Sequence, residues 1–267
     1  MIILLILSLI FAAGNSRGQS LPDNVLRKIA FDEKLGSTVS LDIPFRDENG
    51  KRVRLGDYFG KRPVILVLGY YGCPMLCSFV LNGMIGGLQD LKLKMGQDYD
   101  VVNVSIDPHE TPALAAEKKR SYVNRFGQPD AAAGWHFLTG DEPAIEQLAR
   151  QVGFNYVYDP AYHQYAHPSG LMFLTPDGKI SHYLSGVVFS SAELSQSLAD
   201  AAGARVGSPV EQIFLLCFHY SPITGKYSGV ILAVVRAVAV GVMLALAAFM
   251  VSVWWRKRPV IQKDVPS

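Results

Sequence analysis

Residues Pro63 to Cys77 read PVILVLGYYGCPMLC, an apolar run that ends in a pair of cysteines. Pro63 to Tyr71 is continuously apolar, as expected of a central strand buried on both faces. Cys73 follows two residues later, then Pro74-Met75-Leu76-Cys77. From Ser78 to Leu93, the residues Phe79, Leu81, Met84, Ile85, Leu88 and Leu91 recur at helical spacing. The cysteines therefore fall at a strand-to-helix turn. With a helix starting near Pro74, positions 73 and 77 stack one turn apart on one face. The partial positive charge and N–H groups of a helix N-terminus lower a thiol pKa. Two such thiolates suit reversible disulfide chemistry or a soft metal ion, and the alternative is a passive local disulfide or two inert core thiols. The three intervening residues differ from the two-residue spacing of thioredoxin reductants.

Upstream, Thr38 to Phe45 (TVSLDIPF) alternates as a half-buried strand does, Asp47-Glu48-Asn49-Gly50 signals a turn, and Arg52 to Leu55 alternates again. This predicts a hairpin. Downstream, Tyr99 to Ile106 predicts a second buried strand, ending at Asp107-Pro108. Thr111 as N-cap and Pro112 at the first position open a helix bearing Lys118, Lys119 and Arg120. A short strand at Trp135 to Leu138 and a helix from Glu142 to Val152, stopped by Gly153, come next. Strands Gly170 to Leu174 and Lys179 to Leu184 flank the turn Pro176-Asp177-Gly178, and Ser190 or Ser191 caps a last helix to about Ala204. This order predicts an α/β fold with a mixed sheet covered by helices on both faces. It is the order of a thioredoxin-like domain with an N-terminal β-hairpin, in which a cysteine pair follows a buried strand.

The chain has 267 residues and a formal net charge of +2, which argues against a general nucleic-acid binder. Charged residues make up only 18%, and the apolar excess sits at the two ends. Met1 to Ala13 (MIILLILSLIFAA) is too short to span a bilayer, and small and polar residues follow it to Ser20. Residues 1–20 thus read as a secretory signal peptide, with an uncleaved anchor as the alternative. Ala237 to Trp255 (AVAVGVMLALAAFMVSVWW) is uncharged and long enough to predict a C-terminal transmembrane helix. Arg256-Lys257-Arg258 then keep the tail, 256–267, in the cytoplasm by the positive-inside rule. The main domain, 21–215, is expected on the periplasmic or extracytoplasmic side, with 216–236 as a juxtamembrane segment. Three cysteines exclude a disulfide scaffold.

His167 immediately precedes the strand Gly170 to Leu174. In a thioredoxin-like sheet the loop before that strand lies beside the cysteine turn. Cys73, Cys77 and His167 would then offer sulfur and nitrogen donors to Cu(I) or Cu(II); an ordinary loop histidine is the alternative. Asp107-Pro108-His109-Glu110 places carboxylates and an imidazole at a strand end, where they act functionally or merely cap the following helix. His163 is expected to be exposed, with transient metal capture as the other reading, and His136 and His182 fall in strand patterns and read as structural. Met75 offers a thioether but is expected to pack, and Cys217 and His219 are expected to pack near the membrane, with metal contact there as the alternative. No phosphate-binding glycine motif or Ser-His-Asp arrangement is evident.

Four blocks in order resemble the Sco/SenC copper-binding proteins. They are Gly69-Tyr70-Tyr71-Gly72-Cys73-Pro74-Met75-Leu76-Cys77, Val104 to Pro112, Trp135 to Gly140, and Ala166-His167 with Leu174 to Gly178. The resemblance runs from about Ile43 to Leu198. It implies a thioredoxin-like domain binding one copper ion through Cys73, Cys77 and His167. It also implies a role in assembling cytochrome c oxidase: delivering copper to the oxidase subunit that carries the CuA site, or reducing the cysteines that receive it. A periplasmic copper donor or thiol reductant would be a further partner. This chain differs from many relatives in Ala166, where they carry Asp, in Pro168, and in an anchor at the C-terminus instead of the N-terminus. The leading expectation is a non-enzymatic membrane-anchored copper chaperone. The runner-up is a membrane-tethered thiol-disulfide oxidoreductase using Cys73 and Cys77 as its redox pair. A peroxide-reducing enzyme is a third reading, but its activating Thr/Arg setting is not identifiable.

Overall fold

The structure, a computed structural model, describes residues 29–73, 76–160 and 162–205, with short stretches at 220–221 and 226–227 and helical positions between 237 and 252. The side chains of residues 76 and 77 are outside that description. The chain divides into two compact units, Met1–Gly207 and Ser208–Ser267. In the first unit the elements run β1 (Pro44–Arg46), β2 (Arg52–Arg54), β3 (Val64–Gly69), α1 (Leu76–Gln89), β4 (Asp100–Ser105), α2 (Pro112–Phe126), β5 (Trp135–Leu138) and α3 (Glu142–Gln151). They continue with β6 (Val157–Asp159), β7 (Gln164–Ala166), β8 (Gly170–Leu174), β9 (Ile180–Ser185) and α4 (Ser191–Ala202).

The main sheet has the order β5-β4-β3-β8-β9. Strand β3 is parallel to β4 from Val64↔Asp100 to Gly69↔Ser105, and antiparallel to β8 from Val64↔Leu174 to Leu66↔Met172. The sheet is therefore mixed, with β3 at its centre. Its strands alternate between two cores, as a two-residue repeat requires. Leu66, Leu68, Val102, Val104 and Met172 pack on one face with Ile145 and Leu148 of α3. Ile65, Val67, Val101 and Phe173 pack on the other with Met84 of α1, Phe126 of α2 and Leu194 of α4. Burial on both faces explains the unbroken apolar run: Val64 to Leu68 are at most 6% exposed. Each such side chain contributes about 1.5–3 kcal/mol of burial free energy.

The caps agree with the residues that announced them. Thr111 accepts from the Leu114 N–H with Pro112 at the first helical position, and Ser190 forms a capping box with Glu193. One expected strand is shorter than its pattern. Of Thr38 to Phe45, only the end at Pro44 joins β1, because the backbone before it serves two partners. Val39 donates to the Gly178 carbonyl, whereas the carbonyls of Leu41 and Ile43 accept from Gly56 and Leu55. Beyond Pro44, β1 pairs antiparallel with β2, and Arg46 exchanges backbone hydrogen bonds with Thr139 after β5.

Helix α1 carries three glycines, and the structure separates their roles. A Cβ at Gly83 would lie 1.9 Å from the Val187 carbonyl oxygen, and one at Gly87 would lie 2.5 Å from that of Phe189. The segment after β9 thus lies directly on α1. A Cβ at Gly86 meets nothing within 4 Å. Gly83→Ala is therefore expected to destabilise the domain by about 1–3 kcal/mol through forced displacement of that segment. Gly86→Ala is expected to stabilise it by up to about 1 kcal/mol through helix propensity. Chemical denaturation of the two variants checks the opposite signs.

Residues 1–28, Met75, Cys217 and His219 lie outside the described residues, so the signal peptide and the packing assigned to those side chains are not addressed by the structure. Helical backbone is described at 237–243, 246, 249–250 and 252, and the rest of Ala237 to Trp255 lies outside the description. Among the described residues no helix is long and apolar enough to cross a membrane.

Candidate metal centre

Strand β3 delivers the chain to the site. After Gly69, Tyr70 and Tyr71 point to opposite cores, both buried, and the backbone turns so that the Cys73 N–H donates to the Tyr70 carbonyl at 3.3 Å. Cys73 is half-buried ahead of α1, and Cys77 occupies the first turn of that helix. Tyr71 is fixed from below: its hydroxyl donates to the Leu138 carbonyl at 2.8 Å. Burial, then the nearby Glu110 charge, push its phenol far above the usual range.

His167 reaches the same place from the other side of β3, in the loop between β7 and β8. It is 7% exposed, stacked on Phe154 with ring centroids 5.6 Å apart and edge-on to Tyr70 at 6.0 Å. Its Nδ1 lies 2.8 Å from the Pro168 carbonyl oxygen. A carbonyl only accepts, so Nδ1 carries the proton of this bond, and Nε2 is the nitrogen that a metal would take. Such a backbone contact fixes tautomer and orientation in histidine metal ligands generally. Cys73 and His167 line one cavity of about 30 Å³, together with Tyr70, Tyr71 and Pro168. That volume suits a single ion or water. Asn103 of β4 lines it too, and its amide has no hydrogen-bond partner among the described residues, so one wall is polar.

The other sequence candidates stand apart from this cavity. His109 is paired with Asp107 at 3.0 Å, with its side chain 88% exposed. His163 sits at the tip of the β6–β7 hairpin, 3.0 Å from the Tyr158 hydroxyl. His182 pairs with Phe173 across β8 and β9, and His136 packs against Tyr58 with ring centroids 4.3 Å apart. Burial, then Lys119, lower the His136 pKa. Among the described residues no three His, Cys, Asp or Glu side chains cluster as a metal site; the Cys77 side chain lies outside that set.

Glu110, read from sequence as half of an ambiguous loop, anchors the cysteine turn. Its carboxylate accepts from the Tyr71 N–H at 2.8 Å, the Gly72 N–H at 2.5 Å and the Ser105 hydroxyl at 2.5 Å. One side chain thereby ties the ends of β3 and β4 to the residues just before Cys73. Burial raises its pKa, against the lowering effect of those hydrogen bonds. A carboxyl whose pKa is raised on folding contributes most to stability in acid, and that contribution is lost as pH rises through the raised value. Glu110→Gln is expected to cost about 1–3 kcal/mol, because the amide NH₂ faces donors. It should also flatten the dependence of stability on pH between mild acid and neutrality. Thermal melts of both proteins across that range check the cost and the slope.

The β6–β7 hairpin was not foreseen. Tyr156 and Tyr158 alternate ahead of Asp159-Pro160, a signal that could have found it. Tyr165 of β7 contacts Tyr70 at 5.5 Å, so the hairpin forms part of the surroundings of the cavity.

The sheet order and the cysteine at the end of its central strand define a thioredoxin-like α/β domain with a thiol–imidazole site. The chain belongs to the SCO1/SenC family, whose model matches residues 33–203. Among solved structures, it is similar to a protein from Aquifex aeolicus VF5 described as an electron transfer protein, at 22% identity and a TM-score of 0.57, covering 66% of this chain and 98% of that one. It is also similar to a SCO1/SenC family lipoprotein from Bacillus anthracis str. Ames, at 18% identity and a TM-score of 0.52, covering 65% and 99%. Arabidopsis thaliana ScoI with copper bound aligns at 21% identity and a TM-score of 0.49, covering 62% and 99%. Among curated proteins, no sequence matches.

Proposed function

We propose that the protein is a copper metallochaperone that holds one copper ion through Cys73, Cys77 and His167 and helps assemble the CuA centre of cytochrome c oxidase. The observation that carries this reading is the shared cavity: two residues about ninety positions apart, a thiol and a buried imidazole with its Nδ1 proton committed to a carbonyl, line one ion-sized space. Cys77, four residues beyond Cys73 in the sequence, would supply the second sulfur. Thiolates with an imidazole form a soft donor set that favours copper over oxygen-seeking ions. Membership of the SCO1/SenC family supports the same assignment. Copper here is cargo. The half-exposed turn suits ligand exchange with a receiving thiol, without release of the ion to solvent. A thiol-disulfide reductase would have no need of His167, which is why the copper reading is preferred. Anaerobic Cu(I) titration of the reduced protein, with metal quantified after desalting, should give one equivalent retained. No retained copper would overturn the proposal in favour of thiol reduction.

The domain is proposed to work outside the cytoplasmic membrane, held by Ala237 to Trp255, with the basic Arg256 to Arg258 inside. A reporter fused after Ser267 should be active only in the cytoplasm; an exported reporter would contradict this topology.

A further inference from the structure

A groove of about 970 Å³ runs between the β6–β7 hairpin, α3 and the segment after β4. Four aromatic rings contribute to its lining: Phe154, Tyr156, Tyr158 and Tyr165. Its charged and titratable lining groups are Asp107, Glu142 and Glu146 on one side of the balance and Arg150, His109 and His163 on the other. Several of these groups contact one another across the lining. Arg150 lies 3.5 Å from Glu146, His109 lies 3.0 Å from Asp107, and His163 takes the Tyr158 hydroxyl at 3.0 Å. Leaving the imidazoles aside, three carboxylates face one guanidinium. The carboxylates act on the rings. Tyr165 is pushed up to about 12 by burial and then by Asp107, and Tyr156 is raised by burial and then by Glu146 and Glu142. Val157 and Tyr158 are 42% and 45% exposed beside this lining, so a partner would cover apolar surface there as well.

The groove also backs onto the metal centre. Phe154 stacks on His167 at 5.6 Å, and Tyr165 reaches it through Tyr70, with centroid separations of 5.5 and 6.0 Å. A segment seated in the groove would lie one aromatic layer from the imidazole.

We propose that this groove docks an arginine-bearing segment of the protein that receives the metal, the guanidinium lying on the tyrosine rings between the carboxylates. The match is one of charge and shape. A guanidinium stacks on aromatic faces and pairs with carboxylates at once, and it is desolvated more readily than an ammonium. The volume and the exposed Val157 favour a chain segment over a small free cation. The identity of the partner as a metal acceptor rests on the function proposed above; the groove's preference for cationic peptide does not.

The test is fluorescence anisotropy of the full-length protein with a fluorescein-labelled peptide of alternating arginine and glycine, at low salt, beside the same peptide with glutamate for arginine. The arginine peptide should bind and the glutamate peptide should not. Glu142→Gln with Glu146→Gln should weaken binding about fivefold, and Tyr158→Ser about threefold. Asp90→Asn, which removes an exposed charge outside the groove, should leave affinity unchanged. No binding, equal binding of both peptides, or an Asp90→Asn loss matching the groove variants would overturn the proposal. Copper retention measured on the same preparations separates the two readings. Retained copper without peptide binding removes only the groove, and peptide binding without retained copper removes only the metallochaperone.

Discussion

Cys73→Ser is expected to abolish tight copper binding, lowering affinity by well over about 100-fold, the upper range for disturbing only a partner behind the ligands. The reason is chemical. A serine hydroxyl is hard and stays protonated near neutrality, so a soft ion loses one of two sulfurs and gains nothing. The fold should survive. Cys73 is half-buried at the edge of the core, and neither the Tyr71 and Gly72 anchors on Glu110 nor the backbone bond to Tyr70 involves its sulfur. Competition for Cu(I) against a chromophoric chelator measures the loss, and an unchanged melting temperature shows that it is not unfolding. Wild-type affinity in this variant would remove Cys73 from the ligand set.

His167→Ala is expected to split the two oxidation states. Two sulfurs still hold Cu(I), which accepts low coordination, whereas Cu(II) loses its nitrogen donor and should bind at least about tenfold more weakly. The cavity enlarges at a site 7% exposed, so some stability is lost as well, and Phe154 and Tyr70 lose their ring contact. Copper affinity of the wild type should fall as pH drops, because protons compete for both thiolates and imidazole. Visible absorption of the Cu(II) form, recorded beside Cu(I) affinity, distinguishes this split from a general loss. His163→Ala and His109→Ala should change neither, since both rings lie away from the cavity lining.

Much of this was legible in the residues. An apolar run from Pro63 to Tyr71 can be silent about polarity only if both faces are covered, and Val64 to Leu68 are indeed buried on both sides. Thr111-Pro112 and Ser190 named their helix starts because capping is local chemistry. What stayed hidden depended on distant partners. Thr38 to Ile43 alternates like a strand, yet its backbone is divided between Gly178 and the turn after β2. Glu110 reads like any helix-entry carboxylate, because no sequence pattern shows that it reaches across to residues 71 and 72. The position of His167 beside the cysteine turn, by contrast, was expected from the thioredoxin-like order and the family resemblance, and the antiparallel pairing of β8 with β3 brings its loop to Cys73.

The most direct measurement of the central claim is X-ray absorption at the copper edge of the Cu(I)-loaded, full-length protein, compared with its His167→Ala variant. The wild type is predicted to show two sulfur scatterers and one nitrogen, the nitrogen carrying the outer-shell signature of an imidazole ring. The variant should keep the sulfurs and lose that signature. A first shell without sulfur, or an imidazole signature that survives in the variant, would contradict the assignment of Cys73, Cys77 and His167 as the copper ligands.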